Sequence, residues 1–312
     1  LGKIYKLNEG AVGGILAAVG TALPETIVPL VAILGAYLAH TDVHVGKEIG
    51  IGAILGAPFL LATLAMFVTG LAVVILRSLG KREHKMNANY VVMFRDLKFF
   101  FFSYTLAIAA GFIHIPFIKY ICAAALVGYY LVYVFRTLNC SHSACGEVAE
   151  VDELLFERIF KKYNTFLVWL QVAVSIGALI FFAHMFVGQI RFFADLFHIN
   201  PLVLSLILAP IATELPEKFN SVLWVSQNKD TLALGNITGA MVFQSCIPTA
   251  IGILLTPWVF GAESVINIIL VYCSTILLFI NLYRDKAFSA HILITCGVFY
   301  VIYLVYIFWK MI

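Results

Sequence analysis

Gly20-Thr21-Ala22-Leu23-Pro24-Glu25 and Ala212-Thr213-Glu214-Leu215-Pro216-Glu217 carry one pattern, Thr-x-Leu-Pro-Glu, in the two halves of a 312-residue chain. Each copy lies inside a long apolar run. An ionised carboxylate at a bilayer centre costs at least about 2.5–3.5 kcal/mol on insertion scales. A proline inside a helix removes one hydrogen bond and pushes the turn open. Two costly residues, repeated at the same spacing, point to a shared purpose for Glu25 and Glu217.

The composition places those runs in a membrane. The chain is 62% apolar and 12% charged, whereas a soluble domain carries roughly 25% charged residues. Unbroken apolar runs of helical length argue against a β-barrel, whose strands would alternate. The net charge of +3 is small, and no basic stripe suggests nucleic acid. Of the six cysteines, four fall within apolar runs and read as small buried hydrophobes.

Nine spans are expected, at about 10–39, 48–76, 99–114, 117–137, 164–188, 200–227, 231–257, 264–283 and 289–309. Residues 77–98 read as a polar, basic loop and 138–163 as the longest polar segment. With both loops cytoplasmic and the sides alternating, fifteen Lys and Arg fall on the cytoplasmic side. Lys47, Lys119, Arg191 and Lys310 alone fall opposite. That is a strong positive-inside bias.

The repeat continues past the Pro-Glu motif. Gly52-Ala53-Ile54-Leu55-Gly56-Ala57 matches Gly235-Asn236-Ile237-Thr238-Gly239-Ala240. Glycines four apart let helices approach closely. The two motif-bearing spans run in opposite directions, so the halves form an inverted-topology repeat. The organisation expected is a first repeat over 1–137, a cytoplasmic loop over 138–163 and a second, inverted repeat over 164–312. Span 10–39 lacks the preceding partner that span 200–227 has, so a further helix is expected ahead of Leu1.

Among the 17 acidic residues, only Glu25, Glu214 and Glu217 fall well inside these spans. Pro24 cannot donate to the carbonyl of Gly20, nor Pro216 to that of Ala212. Freed carbonyls and carboxylates are hard oxygen ligands, suited to Ca²⁺, Na⁺ or Mg²⁺. Glu214, Glu217, Lys218 and Ser221 share one helix face.

Thr-x-Leu-Pro-Glu followed by Gly-Asn-Ile-x-Gly, duplicated in inverted halves, resembles the membrane region of the sodium/calcium exchanger family, in the cation/Ca²⁺ exchanger superfamily. The likeness covers essentially the whole chain and is most specific from Ala212 to Gly239. It implies ten helices in two inverted sets of five, with ion sites midway between them. It also implies antiport of Ca²⁺ against Na⁺, K⁺ or H⁺. On the matching positions it gives Glu25 and Glu217 as Ca²⁺ ligands. Thr21 and Thr213 would contribute backbone carbonyls, and Asn236 is the motif Asn.

This chain departs from the family at the positions that hold Na⁺. Ala22 and Glu214 stand where Ser is usual. Gly56-Ala57-Pro58-Phe59-Leu60-Leu61 and Gly239-Ala240-Met241-Val242-Phe243-Gln244 replace polar stretches, and only Gln244 keeps an oxygen. Lys218 then reads as a fixed positive charge that pairs with Glu214 or Glu217 in place of a bound Na⁺. Protons become the favoured counter-ion, carried on Glu214 or Glu217.

The expectation is an all-α polytopic antiporter in a plasma or inner cell membrane, working by alternating access, with no cofactor. It exchanges Ca²⁺ or a similar cation for H⁺ or Na⁺. Its partners are the lipid bilayer and inorganic cations, and a monomer is expected. Two other readings were weighed. One is an exchanger-fold protein that transports or senses another solute. The other is an intramembrane enzyme using Glu214 and Glu217, disfavoured because catalysis needs no inverted repeat. Cys140, His142 and Cys145 read as a solvated loop rather than a zinc site. His40, Asp42 and His44 likewise read as a plain polar loop.

Overall fold

The computed structural model describes residues 22–38, 42–82, 85–139 and 165–311. Thr21 and the Cys140–Cys145 loop lie outside them, as do 1–20. The described residues form ten helices and a single two-stranded pair. The helices are α1 (Leu23–Leu38), α2 (Val43–Ser78), α3 (Tyr90–Gly111), α4 (Pro116–Asn139) and α5 (Thr165–Phe197). They continue with α6 (Pro201–Thr213), α7 (Leu215–Ser226), α8 (Asp230–Leu255), α9 (Ala262–Asp285) and α10 (Ala290–Met311). Among the described residues, six helices are long and apolar enough to cross a membrane. The outward faces are apolar, as with Phe117 at 71% exposure and Phe182 at 64%. A surface of that kind belongs against lipid.

Several boundaries differ from the sequence expectation, each for a local reason. The loop expected over 77–98 ends early, because Asn89 caps α3. Its side chain accepts from the backbone N–H of Val91 at 3.0 Å and Val92 at 3.3 Å. The span expected over 164–188 runs on to Phe197. The span expected over 200–227 is divided at Glu214, which closes α6 and opens α7. α2 contains a π-helical stretch, Leu61–Ala65, just after Pro58. The hydroxyl of Ser274 on α9 donates to the Ala62 carbonyl there, as expected where a widened turn exposes backbone. Asp42 caps α2, accepting from the N–H of His44 at 2.9 Å and Val45 at 3.3 Å. Cys122, Cys246 and Cys296 are buried, but Cys273 is exposed on α9, so one of the four is not a core residue.

The links at the helix ends respect the two sides drawn from the Lys and Arg tally. At one end β1 (Lys85–Met86) pairs antiparallel with β2 (Phe288–Ser289). Arg82 meets Asp230 at 3.0 Å and donates to the Val225 carbonyl at 2.9 Å. At the other end Lys119 donates to the Pro257 carbonyl and Lys310 pairs with Glu263. Each of these links joins residues assigned to the same side.

The halves meet along a seam of backbone. Added Cβ atoms at Gly52 and Gly56 would lie 2.2 and 2.1 Å from the carbonyl oxygens of Leu202 and Leu206 on α6. Ser205 reinforces the seam by donating to the Ile49 carbonyl at 2.7 Å. Gly235 and Gly239 differ: against the described residues an added Cβ meets nothing closer than Met93 at 3.7 Å and the Tyr133 hydroxyl at 3.4 Å, respectively.

Candidate ion-binding site

Both motifs start a helix in the same way. α1 begins at Leu23 and α7 at Leu215, so each proline is the second helical residue and each glutamate the third. Proline suits that position, because its missing N–H has no intrahelical partner in a first turn. The positive end of the helix dipole favours a carboxylate there. The local sequence thus places Glu25 and Glu217 at equivalent points of opposed helices.

Glu25 is 5% exposed, and neither carboxylate oxygen has a hydrogen-bond partner among the described residues. It lies in the electrostatic field of Glu214, Glu217 and Lys218. α1 is held there against α2, α5 and α8. Its apolar face, Val28 and Ala32, packs in a cluster with Ile49 of α2 and Ala183, Val187 and Ile190 of α5.

Glu214 sits at the α6–α7 junction and is fully buried. It accepts from the Gln244 amide at 2.9 Å, Nε2 to Oε1. Its other oxygen is 3.3 Å from Lys218 Nζ. That ion pair is not also a hydrogen bond, so Glu214 Oε2 and Lys218 Nζ both retain bonding capacity. Lys218 is 1% exposed. Its ammonium stays inside and does not reach for the membrane surface. Glu217, one residue earlier, is half-buried beside both charges.

Gln244 itself rests on a proline effect. Pro248 leaves the Gln244 carbonyl without its helical donor, and the Thr249 hydroxyl fills the place at 3.0 Å. The Thr213 hydroxyl donates to the Ala209 carbonyl at 3.1 Å. Asn236 is half-buried with its amide 3.5 Å from Ser221 Oγ, and Ser221 donates to the Ala233 carbonyl at 3.2 Å.

The site therefore gathers Glu25, Glu214, Glu217, Lys218 and Gln244, with Asn236 and Thr213 at its margins. Among the described residues, Glu25 Oε1 and Oε2, Glu214 Oε2 and Gln244 Oε1 are buried acceptors without hydrogen-bond donors. Buried polar atoms are ordinarily satisfied, and oxygens of this kind suit a hard cation or a proton. Among the described residues, no three His, Cys, Asp or Glu side chains converge closely enough to hold a metal ion. A cation here would draw on one or two carboxylates and complete its shell from Gln244, carbonyls or water.

A further buried acid escaped the sequence reading. Asp96, on α3, is 2% exposed. It accepts from Thr238 of α8 at 2.9 Å and from Arg95 at 3.0 Å and 3.2 Å. Arg95 also lies over the Tyr133 ring of α4, 5.5 Å from its centroid. Asn89 followed by an apolar run was the available signal, since an Asn there starts a helix ahead of Arg95 and Asp96.

A family model described as sodium/calcium exchanger protein matches residues 1–139 and 167–312. The chain belongs to the sodium/calcium exchanger family. This exchanger-family chain also shares its fold with solved structures. One is titled the H⁺/Ca²⁺ exchanger CAX, with TM-score 0.65 and 16% identity over 95% of this chain and 78% of that one. Native YfkE gives TM-score 0.68 and 14% identity over 98% and 87%. The sodium-calcium exchanger NCX_Mj gives 0.57 and 20% over 97% and 89%. A comparison with curated protein sequences finds no match. The fold is thus the exchanger's all-α inverted repeat, in a multi-pass membrane protein.

Proposed function

We propose that the chain is a secondary antiporter that exchanges Ca²⁺, or a similar cation, for H⁺ or Na⁺ across a cell membrane. The observation that carries the reading is Glu25. It is a buried carboxylate with no hydrogen-bond partner among the described residues, in the field of Glu214, Glu217 and Lys218. The family match and the equivalent placement of Glu217 support it.

In this reading Glu25 and Glu217 bind the cation from one side of the membrane. The Thr21 and Thr213 carbonyls, Gln244 and Asn236 complete or support the shell. The repeats then rock around the site and expose it to the other side. The counter-ion displaces the cation from the same carboxylates, so the gradient of one drives the other.

H⁺ is favoured over Na⁺ as counter-ion, because Lys218 places a fixed ammonium 3.3 Å from Glu214. A Na⁺ at the same oxygen would meet like charge. Uptake of ⁴⁵Ca²⁺ into proteoliposomes under an imposed H⁺ or Na⁺ gradient tests this. Uptake driven by H⁺ and lost in Glu25→Gln is expected. Uptake driven by Na⁺ alone overturns the H⁺ assignment, and Ca²⁺ uptake under neither gradient overturns the antiporter reading.

A second reading keeps the fold and drops Ca²⁺ exchange. It is favoured by Glu214 being already occupied by Lys218 and Gln244. Uptake that fails in wild type while the protein remains folded would select it.

A further inference from the structure

The described molecule carries a second charged cavity, remote in chemistry from the acidic site. It has a volume of about 370 Å³ and lies between α3 and α4. Arg95, Lys98 and Arg136 line it, with Tyr90, Phe99 and Tyr129 among its aromatic walls. Among the described residues, no acidic side chain lines it. Asp96 neutralises Arg95 from the buried side at 3.0 Å. Lys98 and Arg136 are exposed and carry the cavity's net positive charge. Arg136 lies over the Phe99 ring, 6.0 Å from its centroid, which fixes its guanidinium beside the cavity.

Position matters as much as charge. Tyr90 opens α3 and Arg136 lies in the last turn of α4. Both are at the end that the Lys and Arg distribution assigns to the cytoplasm. Val91 and Val132, also at the cavity, are exposed on the outer face. The cavity thus opens where lipid headgroups meet acyl chains. Basic pockets between transmembrane helices on that side recognise anionic headgroups.

We propose that this cavity binds the headgroup of an anionic glycerophospholipid. Lys98 and Arg136 meet the phosphate, Tyr90 and Tyr129 supply hydroxyls at the rim, and Val91 and Val132 lie along the first methylenes. Charge complementarity favours this occupant over a neutral lipid. The proposal is independent of the ion that the protein carries.

The test uses the purified full chain in detergent, with bound lipid counted by native mass spectrometry. Dioleoyl phosphatidylglycerol is expected to bind in preference to dioleoyl phosphatidylcholine. The Lys98→Ala/Arg136→Ala double variant is expected to lower that preference about thirtyfold, from the loss of one charge contact at each position. Val132→Trp, which fills the mouth without changing charge, is expected to lower it as well, and it decides the matter if the double variant does not fold. Retention of the preference in a folded variant overturns the proposal. So does equal displacement by millimolar inorganic phosphate, which would mark a soluble anion. Binding seen only after Glu147, Glu150, Asp152 and Glu153 are neutralised also overturns it, because the acidic linker would then be the occupant.

Discussion

Lys218 Nζ stands 3.3 Å from Glu214 Oε2, and both side chains are almost wholly buried one helical turn apart. A single positive charge thus sits among the three glutamates of Glu25, Glu214 and Glu217. The pair adds no net charge to the membrane interior, and in the proposed exchange Glu25 and Glu217 remain as the two acids offered to one divalent ion.

That pairing predicts an asymmetry between single and double substitutions. Lys218→Met leaves Glu214 buried and uncompensated, a loss of about 3–5 kcal/mol. Glu214→Gln with Lys218→Met removes both charges and is expected to recover most of that loss. Thermal unfolding in detergent reads the difference. Equal destabilisation by the single and double variants would mean the pair does not matter to the fold.

The same lysine predicts a change of ion selectivity. Lys218→Ser removes the ammonium and adds a hydroxyl, the kind of oxygen that Na⁺ sites use. Ca²⁺ flux through this variant is expected to become Na⁺-sensitive, beyond the parent's response. Flux with unchanged Na⁺ response would count against Lys218 acting in place of a cation.

Glu25→Gln is expected to abolish Ca²⁺ uptake while leaving stability equal or raised. Its carboxylate has no hydrogen-bond partner to lose among the described residues, and a neutral amide is cheaper to bury than a charge. Uptake assays beside melting curves separate the two effects. A variant that failed to fold would show that Glu25 has a structural partner.

Gly52→Ala and Gly56→Ala are expected to destabilise by about 1–3 kcal/mol or more, since each methyl would meet backbone on α6. Gly177→Ala, with nothing within 4 Å of an added Cβ, is expected to be neutral or mildly stabilising. Comparable losses at all three sites would place the cost in helix chemistry generally and not in the seam.

Thr238→Val is expected to cost about 1–3 kcal/mol, because it removes the buried donor to Asp96. Hydrogen exchange on α3 and α8 should rise together in that variant. A rise confined to α8 would mean Asp96 does not couple the helices.

How much of this was readable beforehand depends on what kind of signal each residue gives. Glu25, Glu217 and their prolines are costly in an apolar run, so their repetition carried meaning without any structure. The grouping of helix ends into two sides was likewise readable, because Lys and Arg sort by membrane face and the links between helix ends keep to that grouping. Asp96 was missed because Arg95, Asp96 and Lys98 in succession resemble a loop. The cost of burying Arg95 and Asp96 is offset by their own contact, by Thr238 and by Tyr133, and the last two come from other helices and leave no local trace. The two glycine pairs match in sequence, yet only Gly52 and Gly56 meet backbone in the described structure. The choice between Glu214 and Glu217 as partner of Lys218 turned on Gln244 and the break at Thr213, and helix periodicity allowed either.

The seam between α2 and α6 has a bearing on motion. With Leu202 and Leu206 carbonyls seated over Gly52 and Gly56, an axial slide of α2 along α6 would carry the side chains of same-face neighbours such as Ile49 and Leu55 toward backbone that leaves no room even for a Cβ. The contact is keyed like a tooth in a notch. Two helices from opposite repeats are thereby joined into one strut, and the proposed rocking of the repeats has to leave this contact in register.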